Sequence, residues 1–163
     1  YIICIFTLTI CKYINKICEL IESGADFETV VEKAELYSRH THVVFALSSF
    51  NNLVKNGRMS KIVGFVANKL GFWGIGIGSE QGTIEIKQKI RGSKKALDAI
   101  IEDMKERGYN CGKVVISHCR NAEFAESVKS AIQSVWDKAE VKIVHARGLC
   151  SYYAEKGGLI IGF

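Results

Sequence analysis

Hydrophobic positions recur along this chain in two rhythms, one helical and one of period two. From residue 3 to 22, Ile3, Phe6, Ile10, Ile14, Ile17 and Ile21 fall on one side of a helix; Lys12, Asn15, Lys16, Glu19 and Glu22 fall on the other. Gly24 is a natural stop, and Asp26 can cap a second helix with Phe27, Val30, Val31 and Ala34 as its inner face. The β-branched and aromatic run His42–Ser48 predicts a strand. Residues 49–56 predict a short helix ended by Gly57. Ser60 can cap the next one, where Ile62, Phe65, Val66 and Leu70 have helical spacing up to Gly71.

A strand pair follows, Trp73–Gly78 and Thr83–Ile90. In its second member Ile84, Ile86 and Ile90 are expected to point one way, with Glu85, Lys87 and Lys89 pointing the other. That alternation implies a sheet buried on one face and wet on the other. Ser93 can cap a helix to Arg107 that buries Leu97, Ile100, Ile101 and Met104. Lys113–His118 reads as a strand, and Asn121 can cap a helix burying Phe124, Val128, Ala131, Val135 and Trp136. Val141–Ala146 is a strand, then a loop, then a last strand at Gly158–Phe163. The predicted architecture is α+β: a mainly antiparallel sheet with helices on one face. The natural boundary lies near Arg39–Thr41, giving a helical segment 1–40 and a mixed unit 41–163.

Composition narrows the classes. A chain of 163 residues that is 48% hydrophobic has enough apolar surface for a core and is not disordered. The longest apolar run, Tyr1 to Ile10, is shorter than the roughly 20 residues a bilayer span needs, so no stable membrane insertion is expected. The chain starts at Tyr with no basic n-region, which reads as a piece of a longer protein without a signal peptide. Six cysteines, at 4, 11, 18, 111, 119 and 150, include no C-x-x-C pair. They are expected to be buried thiols in a reducing cytoplasm rather than zinc ligands or disulfides.

The net charge of +5 is uneven. Between Leu53 and Leu97 stand nine basic residues (Lys55, Arg58, Lys61, Lys69, Lys87, Lys89, Arg91, Lys94, Lys95) against Glu80 and Glu85, a local +7. Such a field suits an anionic ligand, an acidic partner or nucleic acid; it is also what a solvated lysine-rich face looks like. The aromatics in this stretch, Phe65, Phe72 and Trp73, look buried rather than set out as a stacking platform, so nucleic acid is not the expected partner.

The glycine run Gly74-Ile-Gly-Ile-Gly78 lacks the spacing of a dinucleotide fingerprint and leads into a strand; it points to a bulge or to close backbone approach. Four histidines, 40, 42, 118 and 145, form no metal pattern, though His118 and His145 fall near strand ends where either could face a pocket. Ser48 and Ser49 follow a strand and could be nucleophilic, or could simply begin the next helix. The best local site is the segment from Lys55 to Lys61. There Arg58 stands two residues before the expected Ser60 cap, and a guanidinium beside free helix N–H groups makes an anion site.

Four stretches together resemble the DegV family. His42 to Ser60 is similar to that family's strand plus its L-x-K-G-G-R-[IM]-S segment. Gly82 to Leu97 is similar to its G-x-I-x-x-x-x-K-x-R-G-x-K-K-A-L. Val114 to Cys119 is like its strand ending in a histidine, and the closing Gly157 to Phe163 completes the set. The resemblance runs from about Leu20 to Phe163. It implies the C-terminal part of a two-domain fatty-acid-binding protein without catalytic residues or cofactor. In such a protein a long-chain fatty acid lies between the domains, and a separate fatty acid kinase subunit phosphorylates its carboxylate. Arg58 takes the place of the GGR arginine near the carboxylate and the kinase contact; Arg91, Lys94 and Lys95 fall where the family presents a basic surface to the kinase. With them, Ser60, Tyr153 and His118 are the expected polar contacts of the ligand, and Ile62, Phe65, Val66, Leu70 and Phe72 its apolar wall. Two departures stand out: Asn56 replaces the first glycine of GGR, and Tyr153 stands where many members carry a loop histidine. The family's other domain supplies a Thr and a Ser to the carboxylate, so residues 1–40 are expected to be its last helices. The alternative is a small serine hydrolase of acyl esters using Ser48 or Ser49 with a histidine.

Overall fold

A computed structural model describes residues 3–58, 72–78 and 84–163, with the backbone alone over 3–11. The amphipathic opening folds as α1 (Ile3–Glu22), and Gly24, at φ +79°, turns the chain into α2 (Phe27–Arg39). Asp26 caps α2 as its position suggests, accepting from the Thr29 N–H at 2.8 Å. The expected inner face of α2 is only partly inward: Ala34 is buried, whereas Phe27 and Val31 are exposed. Next come β1 (Val43–Leu47), α3 (Asn51–Lys55), β2 (Phe72–Gly78), β3 (Ile84–Arg91) and α4 (Ser93–Glu106). The chain finishes with β4 (Lys113–His118), α5 (Ala122–Val135), β5 (Glu140–His145), α6 (Gly148–Ala154) and β6 (Leu159–Gly162).

The strands form one sheet in the order β3-β2-β1-β6-β4-β5. Every neighbouring pair is antiparallel except β4 and β5, which run parallel. The larger core lies between one face of this sheet and helices α4 and α5, and includes Val44, Ala46, Ile75, Ile100, Met104, Ile116, Val128, Ile132 and Ile161. The other face is not bare, which corrects the one-sided expectation. Phe50 and Leu53 from the α3 segment and Ala154 from α6 close over Val43, Phe45, Leu47 and Ile160. Helix α1 also contacts β1, β6 and α6. Both faces of β1 are therefore covered, and all five of its residues are buried, the pattern of a central strand packed on two sides.

The second strand of the hairpin departs from strict alternation. Ile75 lies opposite Gln88, but Gly76 lies opposite Ile86, so Lys87 has no residue facing it. This bulge gives the residues on its two sides opposite facings. Ile84 and Ile86 join the α3–α6 side, while Ile90 joins the α4–α5 side, correcting the expectation that all three point together. It also releases Lys87 toward α4, where its Nζ lies 2.8 Å from Asp103 Oδ1 and 3.0 Å from Glu106 Oε2. Arg107 Nε binds the other Asp103 oxygen at 2.9 Å. Asp103 is the buried member of this group, while the side chains of Lys87 and Arg107 keep partial access to water. Asp103→Ala is therefore expected to cost about 1–2 kcal/mol in denaturant unfolding, less than a fully buried pair, because both freed cations can hydrate. An unchanged midpoint would show that the network is only decorative.

Two expected caps are replaced by other devices. Gly92, at φ +91°, precedes α4, and Ser93 is its first helical residue. Asn121 precedes α5, but its side chain donates to the Gly157 carbonyl at 2.7 Å instead of capping. Helix α6 forms where the periodicity predicts a loop.

Candidate functional site

The antiparallel register gathers the motif residues at one end of the sheet. Leu47, the last residue of β1, pairs with Gly74, near the start of β2, and Phe72 at that start pairs with Arg91 at the end of β3. Ala46 pairs with Leu159 at the start of β6, Leu159 with His118 at the end of β4, and His118 with His145 at the end of β5. The segments 48–58, 91–95, 118–121 and 145–158 thus all leave or enter the sheet at this end.

Hydrogen bonds lock these segments to one another. Ser48 Oγ donates to the Lys156 carbonyl at 3.0 Å, and Ser49 Oγ donates to Glu155 Oε2 at 2.5 Å. The other Glu155 oxygen accepts from the Asn52 N–H at 2.8 Å, so this carboxylate satisfies an otherwise open donor in the first turn of α3. Asn52 Nδ2 donates to the Tyr152 carbonyl at 2.8 Å, and Asn56 Nδ2 donates to the Tyr152 hydroxyl at 2.9 Å. Gly157 N–H donates to the Cys119 carbonyl at 2.8 Å and Cys119 N–H to the Gly158 carbonyl at 2.9 Å. Glu155 adopts a left-handed backbone at φ +53°, which a non-glycine residue holds only when its surroundings impose it. The sequence reading missed Glu155. Its signal was the Ser48-Ser49 pair, whose true partner lies more than a hundred residues away.

Those same bonds bear on the hydrolase alternative. Both serine hydroxyls are committed to the 155–156 turn, and among the described residues neither meets an imidazole.

Arg58 is exposed just beyond α3. Gly57, at φ +64°, turns the chain there, and the Arg58 N–H donates to the Leu53 carbonyl at 2.8 Å. Asn56, two residues earlier, holds Tyr152, so the GGR-like segment and the Tyr152–Tyr153 pair are neighbours. Tyr153 is half-buried against the Phe45, Leu47 and Phe50 cluster, its ring edge-on to Tyr152 at 5.2 Å. Arg91 places its guanidinium 6.0 Å from the centre of the half-buried Phe72 ring, a cation–π arrangement. Lys94 and Lys95 begin α4 beside it, exposed. Ser60, Ile62, Phe65, Val66 and Leu70 lie outside the described residues.

His118 is buried, and its ring centre sits 4.4 Å from that of His145. Its Nδ1 accepts from the Asn121 N–H at 3.1 Å. Burial first, and the neighbouring His145 second, hold its pKa below the usual histidine value, which favours the neutral ring with its proton on Nε2. An open cleft of about 610 Å³ lies beside it, lined by His118, Cys119, Arg120, His145, Ser151, Tyr152 and Lys156 among others. The cysteines whose side chains are described are less enclosed than expected: Cys18 is exposed, and Cys111, Cys119 and Cys150 are half-buried. Among the described residues no three His, Cys, Asp or Glu side chains come together as a metal ion would require, and no helix is long and apolar enough to cross a membrane.

Within the +7 stretch, Lys87 is neutralised by Asp103 and Glu106, whereas Lys55, Arg58, Arg91, Lys94 and Lys95 make no ion pair among the described residues. The glycine run serves packing. A Cβ at Gly74 would strike the Phe50 ring, and one at Gly76 would strike both the Glu85 carbonyl and the Phe45 ring.

Residues 5–163 match the family model described as an uncharacterised protein, DegV family. A DegV domain-containing protein of Streptococcus pyogenes serotype M1 is 43% identical over 144 residues, which are 88% of this chain and 51% of that protein. The fatty acid kinase B3 protein of Streptococcus pneumoniae, solved loaded with linoleic acid, superposes with a TM-score of 0.88 at 39% identity, covering 93% of this chain and 54% of that one. A DegV family protein of Eubacterium eligens, loaded with heptadecanoic acid, gives a TM-score of 0.88 at 36% identity, covering 92% and 54%. The chain spans about half the length of the relatives it matches.

Proposed function

From the premise that this chain belongs to the DegV family, we propose that it forms one wall of a long-chain fatty-acid site and presents the ligand's carboxylate to a kinase subunit. The observation that carries this reading is the convergence of Arg58, Tyr153, His118, Phe72 and Arg91 at one end of the sheet, above an apolar second face. A fatty acid needs just such a pairing. Its tail gains ~0.8 kcal/mol for each CH₂ removed from water, and its headgroup needs a cation or donors when buried. Solved relatives carrying linoleic and heptadecanoic acid support the ligand class, and the fatty acid kinase B3 protein supports the kinase partner.

The chain has no catalytic group or cofactor of its own in this proposal; the chemistry belongs to the partner. The tail lies against the half-buried Ile84, Ile86 and Tyr153 at the margin of the second apolar cluster. Arg58, Arg91, Lys94 and Lys95, unpaired among the described residues, form the basic rim that draws an acidic docking face and an anionic headgroup together. Tyr153 takes the histidine's part through a phenol that can donate to a carboxylate.

The test is phosphorylation of bound fatty acid by the cognate kinase, using the full-length protein. Arg58→Ala is expected to lower the rate at least about tenfold, the scale of one charge-assisted contact, with an unchanged unfolding midpoint because Arg58 is exposed. A rate equal to that of the unaltered protein would remove Arg58 from the site.

A further inference from the structure

A second cavity opens at the opposite end of the sheet. It measures about 560 Å³ and lies between α1, Tyr37 of α2 and the first residues of β4 and β5. Its walls carry Lys12, Lys16, Lys113 and Lys142 against only Glu19 and Glu140, a local balance of +2. The apolar part of the wall is Val114, Val115 and Val141.

The four lysines are not equivalent. Glu19 already serves two of them, with Lys113 Nζ at 2.5 Å from Oε1 and Lys16 Nζ at 3.7 Å from Oε2. Lys12 is the buried one, only 8% exposed. Among the described residues no carboxylate pairs with it; its ammonium sits 6.0 Å from the centre of the Tyr37 ring. A lysine so enclosed is costly unless something anionic meets it. The groups facing it from the packed elements are Tyr37 and His42, Lys16 and Glu19 of its own helix, and Lys113, Glu140 and Lys142 from the sheet. Of the two carboxylates, Glu19 is shared between Lys16 and Lys113, and Glu140 is exposed and forms no ion pair with Lys12.

We propose that this cavity binds a phosphate dianion, free or as the head of a small phosphomonoester, with Lys12 as its innermost contact and Lys113 and Lys142 closing round it. The charge balance sets the class: an excess of two cations matches a dianion, and ammonium groups bind phosphate as point charges without the planar fork a carboxylate selects. The site is separate from the Arg58 end, since Lys113 and Glu140 open the strands that His118 and His145 close. Burial, with Lys113 adding to it, holds the Lys12 pKa down to about 8, so a bound dianion must raise it by linkage.

Competitive labelling of the full-length protein with acetic anhydride, read by mass spectrometry on the Lys12 peptide, reports that shift. Inorganic phosphate at saturation is expected to slow Lys12 acetylation at pH 8 at least about tenfold, relative to chloride at equal ionic strength. Phenyl phosphate acting at lower concentration than phosphate identifies a phosphomonoester as the occupant; the opposite order identifies the free ion, and either order sustains the site. Lys142→Met should weaken the protection about tenfold, and Arg58→Ala should leave it unchanged. Protection by phosphate no better than chloride, or equal protection in the Lys142→Met variant, overturns the proposal.

Discussion

Gly76→Ala is expected to destabilise the protein by about 3 kcal/mol or more, a large share of the roughly 5–15 kcal/mol typical of a domain. Gly76 sits in β2 between Phe45 of β1 and Ile86 of β3, at the bulge. The added methyl would meet the Glu85 carbonyl oxygen and the Phe45 ring, whose Cε2 lies 2.7 Å away. A ring can swing; a ladder carbonyl cannot move without breaking the β2–β3 pairing. Gly74 makes the comparison informative. There the obstruction is the Phe50 ring alone, with Cε2 at 2.6 Å. Phe50→Leu should therefore restore much of the stability lost in Gly74→Ala, while Phe45→Leu should do little for Gly76→Ala. Equal rescue at both positions, measured by urea unfolding, would show that the Glu85 backbone does not limit Gly76.

Lys12→Met should raise stability by about 3 kcal/mol at pH 7 in phosphate-free buffer. The reason is the ammonium buried without a carboxylate, whose pKa falls from 10.5 to about 8 in the folded protein; the free-energy equivalent of that fall gives the magnitude. The sign follows from proton counting. Between pH 8 and 10.5 the unfolded chain binds the proton and the folded chain does not, so the unaltered protein gains stability as pH rises through that window. Below pH 8 the full penalty is present. The advantage of the methionine variant is therefore expected to shrink between pH 8 and 10.5. Titration of Lys113 and Tyr37 is common to both proteins and largely cancels from the difference. An advantage that is flat from about pH 7 to pH 10.5 would mean that the gain is packing rather than relief of a buried charge.

Much of the fold was legible because most helices bury one stripe and keep another wet. The register of hydrophobic residues in α4 and α5, the Asp26 cap and the Gly24 and Gly57 turns all follow from local chemistry, whereas in α1 the expected stripe is overturned: Ile14 and Ile21 are exposed, and Lys12 and Leu20 are buried. The features that were not legible depend on distant partners. The bulge at Lys87 is invisible to a period-two count, yet it turns Ile90 to the opposite core from Ile84 and Ile86. Helix α6 holds only seven residues, with two tyrosines and a glycine at its start, and its stability comes from Ala154 packing and from Asn52 and Asn56 holding Tyr152.

The site followed the same division. Arg58, Arg91, Tyr153 and His118 could be picked out by motif, but only the strand order places them at one end of the sheet. The basic stretch was readable as a charge count; that Lys87 is spent on Asp103 inside the fold, while Arg91 is held over Phe72, was not. Lys12 looked like one more residue on the wet side of an amphipathic helix. Its burial arises because the sheet edge and Tyr37 close over that side of α1.

The most direct test of the acyl-binding account is a crystal structure of the full-length protein with a long-chain fatty acid bound. The account predicts the carboxylate at the end of the sheet where Arg58 and Tyr153 stand, with the hydrocarbon chain running beside the half-buried Ile84 and Ile86. A carboxylate seated elsewhere, with Arg58 and Tyr153 both remote from it, would contradict it.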